Sequence, residues 1–175
     1  MTVLTRSPEN TNNLQPTKFL LTFDRIKTVQ YFCQSANIPG MTLGQATINT
    51  PMLDVYSPST KASYNHFTVE FTVDEKLKSW QEIHAWFRSI TAPVGFNERN
   101  RLTALQNQYS TKKSYYSDGV FTTLSALNNP IARIQFYNLF PISLSDINFD
   151  TKLSADTIIT ASATFVYDYF DFIDV

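Results

Sequence analysis

Residues 65–90 read NHFTVEFTVDEKLKSWQEIHAWFRSI, and within this stretch the spacing of the hydrophobic residues changes from two to between three and four. In the first half, hydrophobic and polar residues alternate, which is typical of a strand with one buried face and one wet face. In the second half the apolar residues recur at helical spacing. We therefore predict a strand over 65–74 and then a helix, which begins near Asp74 as the N-cap and ends at Pro93 and Gly95.

The two faces of this strand and helix have different chemistry. On the strand, Phe67, Val69 and Phe71 are predicted to face the core, while His66 and the residues that alternate with them face water. Ser89 falls on the polar arc of the helix. The helix residues predicted to pack against the sheet are Leu77, Trp80, Ile83, Phe87 and Ile90.

The segments before this stretch carry weaker strand patterns. Residues 18–24 alternate, and residues 29–35 are rich in β-forming residues, so we predict that they pair as a hairpin. Residues 44–56 are predicted to form an edge strand or a long excursion, broken by Pro51 and closed by the turn residues 57–59.

The C-terminal part of the chain also predicts strands. A second hairpin is expected from 120–127 and 131–140, around a turn that contains Asn128 and Pro130. The last strand is predicted to run without a break over 159–169. Residues 97–114 lack a period and are predicted to form a loop.

Composition and length limit the class of protein. The chain has 175 residues with 43% hydrophobic and 17% charged residues, and its 14 Phe and 9 Tyr give ample surface to bury, which excludes a disordered chain. A net charge of −1 argues against a free-standing nucleic-acid binder. We predict a polar arm over residues 1–15 and one domain over 16–175. The fold class is mainly β: an antiparallel β-sandwich or partial barrel with one packed α-helix.

Residues that could carry chemistry are few. Cys33 is the single cysteine, so an internal disulfide and a cysteine-cluster zinc site are excluded. His66 and His84 lie on different elements, and no spacing marks a third ligand or a base. We predict no enzyme activity, no metal and no cofactor. A small hydrolase that uses one of these histidines stays an alternative.

Two other clusters contain aromatic or acidic residues. Tyr115 and Tyr116 are aromatic residues that a carbohydrate-binding sandwich could use, and this alternative stays open. Asp168, Asp171 and Asp174 form an acidic cluster near the C-terminus; in a strand their side chains would point to alternating sides, so they indicate a solvated strand end and not a calcium cage. No apolar run approaches a membrane span, and the N-terminus lacks a signal-peptide pattern, so we expect synthesis in the cytoplasm.

The order of three short motifs resembles a known family. Residues 32–40 read FCQSANIPG, the predicted helix begins with Asp74, Glu75 and Trp80, and residues 140–143 read FPIS before Asp146 and Asp150. From about residue 13 to 172, the chain resembles the tail tube proteins of contractile-tailed, T-even-like bacteriophages.

This resemblance implies a structural subunit of the virion tail. Such subunits form hexameric rings that stack into a tube, and the six copies share one β-barrel around the lumen. The implied partners are further copies of the chain, the tail sheath, a baseplate initiator and a tail terminator, while DNA passes through without specific binding. The short chain favours the repeating subunit, and a baseplate initiator of the same fold is the alternative.

The resemblance also assigns residues to surfaces. A surface of neutral hydroxyls and a few carboxylates does not attract DNA phosphates, whereas a surface of lysines does. The residues implied to line the lumen are Thr68, Glu70, Thr72, Thr160, Ser162, Thr164 and Asp168. The residues implied to reach the adjacent ring are Pro51, Asp54, Tyr56, Pro58 and Lys61.

Overall fold

The computed structural model describes residues 11–95, 97, 115–152, 154 and 156–174. Strands dominate these residues, in agreement with the predicted class. The elements are β1 (Phe19–Phe23), α1 (Lys27–Phe32), β2 (Cys33–Ala36), β3 (Met41–Asn49), β4 (Asp54–Tyr64), β5 (Phe67–Thr72), α2 (Lys78–Thr91), β6 (Ser117–Leu124), β7 (Pro130–Leu144), β8 (Thr160–Val166) and β9 (Tyr169–Ile173). Residues 98–114, most of the predicted loop, lie outside the described residues, as does most of the predicted N-terminal arm.

Two antiparallel sheets share the long strand β7. Sheet A has the order β1-β6-β7-β9, and sheet B has the order β7-β8-β5-β2. The first part of β7 pairs with β6 and β9, whereas Phe140–Leu144 pairs with β8. The strand changes sheets where Asn138 adopts a positive φ of 54°, which asparagine tolerates better than most residues, and where the β7–β8 register shifts after Pro141. The antiparallel architecture is confirmed, and the described strands do not close a barrel.

Aromatic side chains from both sheets fill the core between them. Phe67 of β5 stacks on Phe136 of β7 with ring centroids 4.6 Å apart, and Phe23 of β1 lies 5.6 Å from Phe165 of β8. All four rings are buried. The alternation predicted for 65–73 is confirmed, because Phe67, Val69 and Phe71 have no solvent exposure.

The last predicted strand is two strands in different sheets. β8 ends at Val166 in sheet B, and β9 begins at Tyr169 in sheet A. Between them, Tyr167 is buried and its hydroxyl donates to the Asn65 carbonyl at 3.0 Å. The Asp168 amide donates to the Tyr137 carbonyl at 3.1 Å. The continuous prediction was wrong because these contacts with distant residues carry the chain from one sheet to the other.

The predicted hairpin from 18–24 and 29–35 is also wrong. β1 pairs with β6 and β2 pairs with β5, and the helix α1 lies between them in the chain. The amide and hydroxyl of Thr28 donate to the Glu82 carboxylate at 3.0 and 2.5 Å, and Val29 is fully buried. This contact with α2 stabilises a helix where the local residues favour a strand.

The second hairpin is confirmed. β6 and β7 pair on either side of a turn in which the Asn129 carbonyl accepts the Ser125 amide at 2.7 Å. Asn128 adopts a positive φ of 63° in this turn, a conformation in which asparagine is enriched.

The excursion after residue 40 is a projecting hairpin. β3 and β4 pair only with each other in the described residues, and every residue of β3 is exposed. β4 continues through Pro58, so the expected closure at 57–59 was wrong. Each strand of a two-stranded ladder has an unpaired side, which tolerates a residue without an N–H. Pro51 lies in the turn, as its sequence context predicts.

The predicted long helix forms over Lys78–Thr91, but its N-cap is Leu77 and not Asp74 as predicted. Asp74 Oδ1 accepts a hydrogen bond from the Ser79 amide at 2.8 Å, and this bond is the first cause that lowers the pKa of Asp74. It caps the first turn from outside the helix, since Leu77 takes the N-cap position in a left-handed conformation. The helix ends at Ala92, whose φ is 43°, directly before Pro93.

The buried face of α2 is rotated from the predicted one. Ser79, Ile83, Trp86 and Ser89 are buried, whereas Leu77, Trp80 and Phe87 are half-buried. The sequence pattern predicts Ser89 on the polar arc, which is wrong. Its hydroxyl instead donates to the Trp86 carbonyl at 2.7 Å, which satisfies a small polar group inside the core.

Trp86 is the residue on which this helix packs. Its indole lies 6.0 Å from the Phe165 ring, its Nε1 donates to the Tyr115 carbonyl at 2.9 Å, and the Arg25 guanidinium lies 5.0 Å from its ring centre. Burial lowers the pKa of Arg25 to about 10. Trp80 is half-buried, with Nε1 donating to the Ser145 carbonyl at 3.2 Å.

The two tryptophans form a matched pair for a stability test. We expect Trp86→Ala to lower the free energy of unfolding by about 3–5 kcal/mol, because a fully buried indole is removed. Trp80→Ala is expected to cost clearly less. Urea unfolding followed by circular dichroism measures both. Equal losses, or a larger loss for Trp80→Ala, would contradict this assignment of the buried face.

Candidate functional site

The polar face of sheet B brings six of the predicted lumen residues together. β5 and β8 pair in a register that sets the members of each pair directly opposite each other, and directly opposite residues share a face. The three pairs are Thr68 with Thr164, Glu70 with Ser162 and Thr72 with Thr160. All six side chains are exposed or half-buried, so the face is open to solvent in the single chain.

Two further hydroxyls extend this row, and sequence reasoning missed both. Ser35 of β2 lies opposite Glu70, and Ser143 of β7 lies opposite Thr164; both are exposed. Their local sequence gave no signal, because their place depends on pairing with residues distant in the chain. We call these eight residues of sheet B the hydroxyl face.

Asp168 lies outside the strands that carry the hydroxyl face. It is in the link between β8 and β9, and its carboxylate accepts a hydrogen bond from Asn138 Nδ2 at 2.6 Å. The assignment of Asp168 to the row assumed one continuous strand over 159–169. Its observed contact instead holds the point where the chain changes sheets.

The hydroxyl face carries little charge. Its one ionisable side chain is Glu70, and the strand segments of sheet B, 33–36, 67–72, 140–144 and 160–166, contain no Lys or Arg. A surface without Lys or Arg cannot neutralise DNA phosphates, so it gains no free energy from release of the counterions condensed on DNA. This face can therefore lie against a polyanion without binding it.

The projecting hairpin offers a second surface. The predicted inter-ring residues Pro51, Asp54, Tyr56, Pro58 and Lys61 are all exposed on it. Four apolar residues at its end were missed: Ile48 lies opposite Val55, and Met52 and Leu53 are 98% and 70% exposed in the turn. The local signal was the apolar pair Met52 and Leu53 beside Pro51. We call these four residues the hairpin tip.

The residues considered for catalysis do not converge. His66 is exposed just before β5, and His84 is exposed on α2, where it stacks on Trp80 with ring centres 5.1 Å apart. In the part of the chain that the structure describes, no group of three His, Cys, Asp or Glu residues could hold a metal ion. Burial raises the pKa of Cys33 to about 11, the opposite of what an activated thiol needs.

The remaining aromatic and acidic candidates are also accounted for. Tyr115 and Tyr116 line an open pocket of about 260 Å³ with Ile90 and Phe140, and Tyr116 packs edge-on against Phe140. Charged and amide side chains are absent from this described lining, so it offers few of the polar groups that orient a sugar.

Asp171 lies opposite Gln135 in the ladder of β7 and β9. None of the described helices is both long and apolar enough to span a bilayer.

Comparison with known proteins agrees with the geometry. A family model described as phage tail tube protein matches residues 6–173. The tail tube terminator protein of Enterobacteria phage T4 is 27% identical over 169 residues, which cover 91% of this chain and 88% of that protein.

Solved structures show the same fold at low sequence identity. The tube terminating cap of the anti-feeding prophage aligns with a TM-score of 0.66 and 12% identity, covering 100% of both chains. A chain from the sheath/tube terminator of the extracellular contractile injection system PVC aligns with a TM-score of 0.62 and 12% identity, covering 93% of this chain and 98% of that one. Because the family model spans nearly the whole sequence, this chain belongs to the phage tail tube protein family.

Proposed function

We propose that this protein is a structural, non-enzymatic subunit of the terminal ring that closes the end of a contractile phage tail tube. The observation that carries this proposal is the relation to the T4 tail tube terminator, which spans most of both chains. The short length had favoured the repeating tube subunit. Length does not discriminate, since the T4 terminator is itself a chain of similar size. The sequence analysis gave the tail terminator as a partner of this chain. We now propose that the chain is itself the terminator.

The proposed ring follows from the geometry of sheet B. A lone copy leaves sheet edges that can pair with another chain, and a closed ring removes such edges. Sheet B has four strands per copy, so six copies would place 24 strands in a shared barrel. This exceeds the roughly 16–18 strands that already leave a water-filled channel in porins. The hydroxyl face would line that channel, and DNA would pass it without being held.

The projecting hairpin is proposed to attach this ring to the last ring of the tube. A two-stranded hairpin with both faces in water is only marginally stable by itself. Its apolar tip gains stability when an apolar surface of a neighbouring subunit covers it. The polar residues Asp54, Tyr56 and Lys61 would then surround the buried tip.

The domain boundaries, partners and location of the protein are also proposed. Residues 16–175 are proposed to form the tail tube domain, and residues 1–15 an arm that orders on assembly. The proposed partners are further copies of the chain, the tube subunit and the sheath, in a virion tail assembled in the host cytoplasm. The repeating subunit is the second candidate, and a baseplate initiator is the third, since a chain in the anti-feeding prophage baseplate shares the fold with a TM-score of 0.61.

The assembly state of the purified protein separates the terminator from the repeating subunit. We expect single rings of about 120 kDa, six copies of 20.0 kDa, by native mass spectrometry and negative-stain microscopy. A terminator should not extend into tubes alone, and it should shorten tubes when added to a polymerising tube protein. Long tubes formed by this chain alone would contradict the terminator and favour the repeating subunit. A persistent monomer that does not bind tube ends would contradict both.

The role of the hairpin is tested by charge at its tip. We expect Met52→Asp with Leu53→Asp to leave the ring intact and to abolish attachment to tube ends, because an apolar contact would have to bury two carboxylates. Co-sedimentation with tubes measures attachment. The matched control is Leu127→Asp, since Leu127 is 82% exposed in the turn between β6 and β7. Unchanged attachment of the tip variant, or equal loss in the control, would remove the hairpin from the interface.

A further inference from the structure

We infer which two strand edges join neighbouring copies in the ring: the outer edge of β2 in one copy and the free edge of segment 140–144 of β7 in the next. This inference rests on the proposed ring. Sheet B ends at β2 on one side and at segment 140–144 on the other. β6 pairs with β7 only as far as Leu139, and no described strand covers the edge beyond it.

The hydrogen bonds at the end of β2 show which backbone groups face outward. The Asn37 amide donates to the Thr68 carbonyl at 3.3 Å, and the Thr68 amide donates to Asn37 Oδ1 at 2.6 Å. Asn37 therefore bonds toward β5. Backbone groups alternate in direction along an antiparallel strand, so the N–H and C=O of Ala36 point to the free edge.

The other edge ends in a similar way. The Ser145 amide donates to the Ser162 carbonyl at 2.8 Å, and the Ser162 amide donates to Ser145 Oγ at 2.9 Å. Ser145 therefore bonds toward β8, and the backbone groups of Leu144 point to the free edge. At both edges a side-chain oxygen takes the place of a backbone carbonyl in the last pair. Each edge thus has an outward-pointing N–H and C=O, next to a last residue pair whose backbone amides already have hydrogen-bond acceptors.

Strand direction makes these two edges complementary. The four strands of sheet B are antiparallel in sequence, so β2 and β7 run in opposite directions. Rotation about a ring axis preserves strand direction. The β2 edge of one copy therefore meets the β7 edge of the next as an antiparallel pair, and alternation continues around the ring without a break.

The joint also agrees with the chemistry of the hydroxyl face. Ser35 and Ser143 lie on that face, in the two edge strands. Pairing of the edges places these two serines on either side of each joint. Uncharged hydroxyl side chains therefore continue across the interface between neighbouring copies. An incorrect pairing through sheet A would leave the edges of sheet B unpaired and the hydroxyl face divided into separate patches.

Disulfide trapping tests this joint. In a Cys33→Ser background, Ala36→Cys with Leu144→Cys covers one register, and Ser35→Cys with Ser143→Cys covers another while replacing only oxygen by sulfur. Cross-linking requires Cα separations of about 4.4–6.8 Å, which paired strands provide. Oxidation of assembled rings should give a non-reducing gel ladder up to six copies, which collapses to 20.0 kDa on reduction.

The control places the same two thiols on the edges of sheet A, as Thr22→Cys with Asp171→Cys. Both residues are exposed, on β1 and β9. Each variant is first checked for ring mass, so that only assembled rings are oxidised. A ladder from the control alone, or intact rings with no ladder from either sheet B pair, would overturn the edge assignment and leave the proposed ring standing. Absence of rings from the unmodified protein would instead refute the proposed function.

Discussion

The antiparallel pairing of β5 with β8 determines the chemistry of both faces of sheet B. Because side chains alternate along each strand, this one register buries Phe67 and Phe165 in the core and aligns Glu70 with Ser162 on the open face. A slip of one residue would put hydroxyls into the core and phenyl rings into water. Packing in the core therefore fixes which residues lie on the hydroxyl face, which is proposed to line the channel. A change of register would alter both faces together.

The shared strand β7 ties this sheet to the rest of the molecule. It changes sheets near Asn138, and the side chain of the same residue donates to Asp168 in the link that carries the chain back to sheet A. The sandwich is thus complete at its centre. The free edges of sheet B and the exposed apolar hairpin tip lie at its margins. Such margins are a liability for a monomer, and a ring that caps a tube would cover both.

Local periodicity was enough to predict the strand β5, the helix α2 except for its start, and the hairpin of β6 and β7. The errors came where distant contacts override local preference. Residues 27–32 are helical because Thr28 bonds to Glu82, and the strand after Val166 changes sheets because Tyr167 and Asp168 are held by residues far away in the chain.

The candidate site was predictable only in part. Thr68, Thr72 and Thr164 could be placed on a polar face from alternation alone. Ser35 and Ser143 could not, because only the long-range register places them on the same face. The buried face of α2 was predicted only in part: Ile83 is buried as expected, but Ser79 and Ser89 are polar by type, yet small enough to pack in the core once their hydroxyls are bonded.

The most direct test of the central claim is whether cations on the hydroxyl face hold DNA that is threaded through the ring. Rings with Glu70→Lys and Thr164→Lys are compared with rings that carry the same added charge on sheet A, as Asp171→Lys and Thr22→Lys. We expect the first to retain linear DNA in a salt-dependent way but not closed circular DNA, which has no end to thread. The second should not distinguish the two forms. Equal binding of linear and circular DNA by the first variant would contradict the account, because its lysines would then lie outside the channel.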